Sequence, residues 1–126
     1  MKLDEFYISV KDNFPDISEK ADKLYDDYWN RYVEMEFSEY SWFEFLANAL
    51  NSEMQKGVDV SNYIELFEYV RHSYMIGDVD VKNTVDVAFV ENLFWQVPKE
   101  KAEPYWEKFP EILKKLYINF HRRAPF

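Results

Sequence analysis

Apolar residues recur along this chain at intervals of three and four, the spacing that gathers them on one face of an α-helix. Leu3, Phe6, Tyr7 and Val10 begin the pattern, and Pro15 disfavours helical backbone in the residue before it, so a first helix is expected to stop near Phe14. Asp16 with Glu19 has the form of a capping box and precedes a stripe of Ile17, Ala21, Leu24, Tyr25, Tyr28, Tyr32 and Met35. Ser41 with Glu44 repeats that form ahead of Phe45, Leu46, Ala49, Leu50 and Met54, with Gly57 placed for a left-handed cap. A fourth stripe, Tyr63, Ile64, Phe67, Val70 and Tyr74, runs to Gly77, which is expected to close its helix as Gly57 does.

Residues 78–97, DVDVKNTVDVAFVENLFWQV, carry two patterns at once. Their valines favour a strand. Against that, Asp78 or Asp80 can cap a helix, and Val81, Val85, Ala88, Phe89, Asn92 and Leu93 fit one helical face. The run to Pro98 also exceeds an ordinary strand, so helix is expected. Pro104 and Pro110 suit first helical turns. They predict a short helix or turn near residues 99–108 and a final helix from about Pro110 to His121, with a stripe of Ile112, Leu113, Leu116, Tyr117 and Phe120. Lys114, Lys115, Arg122 and Arg123 crowd its C-terminal end, where the helix dipole favours cations. Two glycines in 126 residues are too few for a hairpin-rich β protein. The expected fold is all-α: a single compact domain over residues 1–126, built as about five to seven helices in antiparallel helical hairpins.

Charge changes the picture from fold to partner. The net charge is −9, and residues 1–63 hold fourteen acids against six bases while residues 64–126 hold ten against nine. Phosphate binding draws its affinity from Lys and Arg, so nucleic acid is not an expected partner. A basic protein is, because complementary fields steer encounter. The chain has no cysteine, which excludes disulfides and thiol chemistry and suits a reducing compartment. No apolar run reaches the length of a signal peptide core or a membrane span, so a soluble, cytoplasmic protein without a membrane partner is expected, a monomer when alone.

Catalytic patterns are sparse. GxSxG, HExxH, GxGxxG and GxxxxGK[ST] do not occur. Glu65, Glu68 and His72 share a helical face, but a metal site would need ligands from a second helix, so no metal, cofactor or catalytic residue is expected. What stands out is an aromatic run threaded with acids: Tyr28, Trp29, Tyr32, Phe37, Tyr40, Trp42, Phe43 and Phe45 all fall within residues 28–45. Tyr28, Tyr32, Trp42, Phe43 and Phe45 have places in a helical core. Trp29, Phe37 and Tyr40 are harder to bury together and lie among acids, as interface anchors for a basic partner would. The candidate partner-binding residues are therefore Asp26, Asp27, Trp29, Glu34, Glu36, Glu39 and Tyr40.

Asp80, Val81, Asn83, Val85, Val87, Phe89, Val90, Glu91, Asn92 and Leu93 form a pattern, D-V-x-N-x-V-x-V-x-F-[LV]-E-N-L. It resembles an uncharacterised family of small helical bacterial proteins that look like immunity proteins of toxin systems, including contact-dependent growth inhibition. The likeness spans roughly residues 36–95. It implies a non-catalytic cytoplasmic protein that neutralises a cognate basic toxin domain, such as a nuclease, by covering its active site. The alternatives are a helical adaptor unrelated to toxins and an enzyme centred on His72.

Overall fold

Pro15 separates the first two helices without a loop. In the computed structural model, which describes residues 1–29 and 36–126, α1 (Leu3–Asn13) ends at Phe14 and α2 (Pro15–Trp29) takes the proline as its first residue. A first-turn N–H has no helical partner, so proline loses nothing there. Asp16 therefore sits inside the first turn, and the capping box expected at Asp16 and Glu19 is not formed.

α3 (Glu39–Gln55) starts one turn earlier than its sequence pattern suggests. Ser38 is the cap, its hydroxyl accepting the Ser41 N–H at 3.2 Å, which leaves Ser41 and Glu44 within the helix. At the other end Gly57 has φ +74, and the Gly57 and Val58 amides donate to the Met54 and Glu53 carbonyls, the paired bonds of a Schellman motif. A 3₁₀ turn at Val60–Asn62, capped by Asp59, leads into α4 (Ile64–Ile76). Gly77 then departs from expectation. Its backbone is extended, at φ −74 and ψ 161. What demands glycine is space: a Cβ would lie 2.6 Å from the Ser73 carbonyl oxygen and closer still to the Val81 side chain.

Asp78 caps α5 (Val79–Asn83) by accepting the Val81 N–H at 3.0 Å. The helix continues through Thr84–Val90, but with π winding: the Glu91 N–H reaches five residues back to the Asp86 carbonyl. Wider turns let Val85, Phe89, Val90 and Phe94 all be buried, where a regular helix would have favoured Asn92 over Phe94. Residues 91–96 are a turn, so the expected helix up to Pro98 ends early. α6 (Lys99–Lys108) is a full helix with Pro104 inside it, and α7 (Glu111–His121) follows Pro110. The described residues thus form seven α-helices and no strand. None of these helices is long and apolar enough to cross a membrane.

Buried side chains from Phe6 in α1 to Tyr117 in α7 join one apolar cluster. α3 runs through its middle and packs on α1, α2, the π segment and α6. Three buried polar groups of α3 reach in different directions. The Trp42 indole donates to Asp22 at 2.7 Å, and Asp22 also pairs with Lys11 at 2.8 Å, linking α1, α2 and α3. Glu53, 1 % exposed, pairs with Lys20 of α2 and accepts the Tyr63 hydroxyl at 2.9 Å. Asn51 holds the turn after the π segment.

The apolar stripes are mostly buried, but Leu24 of the α2 stripe is exposed and two further residues depart from expectation. Tyr28 is 52 % exposed rather than core, while its neighbour Trp29 is partly buried against the cluster. Phe120 is likewise exposed. Tyr32 and Met35 lie outside the described residues. Gly77→Ala is expected to destabilise the fold by about 1–3 kcal/mol, because Val81 and the Ser73 carbonyl must move to admit one methyl group. Urea denaturation checks this, and unchanged stability would show that the α4–α5 corner has room.

Candidate functional site

The described residues singled out from sequence lie on the second half of α2 and at the entry and first turn of α3. Asp26 and Asp27 are exposed on α2, where they line an open groove with Asp16, Glu19, Lys20, Asp22 and Lys23. Glu36 is exposed and Glu39 partly buried, and Glu39 is close enough to Tyr7 to help raise its phenol pKa, an effect led by burial. Tyr40 belongs to other company, described below. Trp29 is turned partly inward, where its ring meets Tyr25 and Tyr28. Phe37, by contrast, is half exposed while touching Tyr7 and Tyr25. Glu34 lies outside the described residues.

A second set of acids surrounds Tyr40. Burial pushes the Tyr40 phenol pKa up, and the charges of Glu44, Glu91 and Asp86 push it further. Each of these carboxyls is itself raised. Burial alone does this for Glu44 and Asp86, while Glu91 is raised by burial and then by the nearby Asp86. Among the described residues none of the three is in an ion pair. Partly desolvated, uncompensated carboxylates lower the stability of the fold that holds them. Glu53 shows the opposite arrangement: burial raises its pKa, but the hydrogen bonds from Lys20 and Tyr63 outweigh that, and the carboxyl is held below its usual range.

Glu91 opens the turn that ends the π segment, and this turn is strained. Phe94 and Gln96 both have left-handed backbone, with φ of 67 and 55. For residues with a Cβ that conformation costs about 1–2 kcal/mol each. Asn51 from α3 holds the turn on both sides of Leu93: its amide nitrogen donates to the Asn92 carbonyl at 2.8 Å, and its oxygen accepts the Phe94 N–H at 2.7 Å. The Phe94 ring is fixed as firmly, meeting Trp106, Phe109 and Tyr117 edge-on at 5.6–5.7 Å between ring centres. With Phe94 and Val97 buried on either side, Trp95 between them is left 64 % exposed. Its ring meets no other aromatic ring among the described residues. The imidazole of His121, on α7, lies 3.1 Å from the Glu91 carbonyl and stacks on Tyr117.

Sequence reasoning missed Trp95 by treating residues 78–97 as one helix. A signal was present: Phe94 and Trp95 are adjacent and cannot both face one core, and Pro98 disfavours helix at Val97. The other acid and histidine set, Glu65, Glu68 and His72, does share the edge of a shallow hollow beside Asn13, Phe14 and Tyr69, but Glu68 is engaged by Arg71 at 2.9 Å. Among the described residues no three acids, histidines or cysteines converge as a metal site would require.

Residues 7–123 match the family described as a domain of unknown function, DUF7674, and the chain belongs to that family. Comparison with curated proteins and with solved structures gives no match.

The raised carboxyls predict a direction for stability. A carboxyl whose folded pKa exceeds its unfolded value of about 4 favours the folded state at pH below the unfolded value, and that advantage is lost as pH rises through the folded one. At neutral pH the ionised trio therefore works against folding. Replacing it with neutral isosteres, Glu44→Gln, Asp86→Asn and Glu91→Gln together, should raise Tm at pH 7 and leave it little changed near pH 3. A fall in Tm at pH 7 would mean that the carboxylates have stabilising partners.

Proposed function

We propose that this protein is a non-catalytic binding protein for a basic protein partner, and that the partner is a bacterial toxin domain, such as a nuclease, which it neutralises in the cytoplasm as an immunity protein. The observation that carries the binding reading is the run of uncompensated acids. Asp26, Asp27, Glu36, Glu39, Glu44, Asp86 and Glu91 are in no ion pair among the described residues, although Lys11, Lys20, Arg71 and Lys114 pair with other carboxylates. Half-exposed Tyr28 and Phe37 lie among the first of these acids. Such a surface attracts Lys and Arg and offers aromatic area for them to pack on. The toxin identity rests on the resemblance of residues 80–93 to immunity proteins, and inhibition would be stoichiometric, by covering a positively charged active-site cleft.

Electrostatic steering has a measurable consequence. Association with a cognate basic toxin domain is expected to slow by at least about tenfold as salt rises from about 0.05 M to about 0.5 M, with dissociation changing less. Stopped-flow mixing measures both rates. Equal association rates at the two salt concentrations would contradict steering, and cells left unprotected from the toxin when the protein is expressed would contradict the immunity role.

A further inference from the structure

The C-terminal end of α7 concentrates positive charge in a protein that is otherwise acidic. Residues 114–126 hold four Lys and Arg and no acid, against a net charge of −9 for the whole chain. Lys114 is engaged, since it pairs with Glu111 at 3.3 Å and lies 5.5 Å from the centre of the Trp106 ring. Lys115, Arg122 and Arg123 are exposed and in no ion pair among the described residues. The helix dipole accounts for cations at this end. It does not account for the apolar side chains exposed among them, Ile118, Phe120 and Phe126.

These groups lie together and are held in place from behind. Lys115 and Ile118 are three residues apart on the outward side of α7, and the same last turn carries Phe120. The Phe120 ring stands edge-on to His121 at 4.8 Å, and His121 stacks on Tyr117 at 4.0 Å while its imidazole lies 3.1 Å from the Glu91 carbonyl. Burial raises the Tyr117 phenol pKa, and the charge of the nearby Arg123 opposes that rise. Lys99 of α6 lies 5.8 Å from the centre of the Phe126 ring, which brings a further cation beside the residues that follow α7. Arg122 caps the helix with left-handed backbone, at φ 65. Glycine or asparagine adopts that conformation with less strain, so the cap is not shaped for stability alone.

We propose that this end of α7 is a docking surface for an anionic phospholipid membrane, with Lys115, Arg122 and Arg123 against the headgroup phosphates and Ile118 and Phe120 entering the layer beneath them. Helices that lie at a bilayer interface combine Lys and Arg with large apolar side chains in this way. Nucleic acid would use the same cations and could stack a base on Phe120, but an exposed isoleucine offers it nothing. A polyanion long enough to pass beyond this end would also meet the acids of the remaining chain. A bilayer is met by one end of a molecule at a time. Surface attachment needs no span, so the expectation that a membrane is not a partner, which rested on the absence of an apolar run, does not bear on it. The inference is independent of the basic-partner reading, which uses the acids of α2 and those around Tyr40.

The test is flotation of the intact protein with vesicles of phosphatidylcholine alone and of an equal mixture with phosphatidylglycerol. Wild type is expected to float with the mixed vesicles and not with the neutral ones, and to be released as salt rises to about 0.5 M. Lys115→Gln, Arg122→Gln and Arg123→Gln together should weaken partition by roughly a hundredfold, the effect of removing three cations from an anionic surface. Phe120→Ser should weaken it by roughly tenfold at unchanged charge. Neither variant should alter the melting curve, since these side chains are exposed. Lys23→Gln, Lys56→Gln and Lys82→Gln together change the net charge equally, on α2, at the end of α3 and on α5, and should leave partition nearly unchanged. Failure of wild type to float with the mixed vesicles, equal partition into both kinds, or equal losses from the two triple variants would overturn the membrane assignment. So would binding of a single-stranded RNA oligonucleotide that the α7 triple variant abolishes while wild type stays off both kinds of vesicle. None of these outcomes touches the basic-partner reading, which the salt dependence of toxin association tests separately.

Discussion

The two hydrogen bonds from Asn51 to the backbone at Asn92 and Phe94 are the constraint on which the outer face of this protein depends. Without them the turn after the π segment would present an unpaired amide and carbonyl, and nothing on α3 would oppose relaxation of its left-handed residues. Apolar packing alone tolerates small slides between helices, whereas a buried amide bonded on both sides admits one register. α3 uses this device three times. Trp42 is tied through Asp22 to α1 and α2, Glu53 to α2 and the entry of α4, and Asn51 to the turn, so the central helix fixes each neighbour by a polar contact as well as by burial.

Two kinds of acid follow from this architecture. Glu53 is buried but satisfied, and its depressed pKa means that it stabilises the fold at neutral pH and ceases to do so as pH falls through its folded value. Glu44, Asp86 and Glu91 are partly buried and, among the described residues, in no ion pair, and their raised pKa values mean the reverse. A chain shaped only for stability would place a lysine or arginine beside such a group, as it does for Asp22, Glu53, Glu68 and Glu111. Stability sacrificed at one place on a surface is common where binding is the use of that surface.

The helices were legible in the sequence because their apolar stripes are long and Pro15, Pro98 and Pro110 mark their starts. Finer features were not legible, for physical reasons. Ser38 caps α3 in place of Ser41 because either serine has suitable neighbours and only the incoming chain direction chooses between them. Gly77 reads like a left-handed cap but is required by its closeness to Val81, a contact across a corner that local pattern does not encode. The π winding of Thr84–Val90 breaks the 3.6-residue rule on which the reading of residues 78–97 relied, and so hid Trp95 inside an expected helix. The acids beside Tyr40 come from α3 and from the segment more than forty residues later, and only the fold brings them together.

The central proposal is that this protein meets a basic partner through its uncompensated acids on α2 and around Tyr40. The most direct measurement is a backbone amide chemical-shift map of the labelled protein, recorded before and after saturation with a candidate basic toxin domain. The largest shifts are expected on residues 26–27, 36–44 and 86–91. Shifts confined to the basic end of α7, or to the Glu65, Glu68 and His72 face of α4, would contradict it.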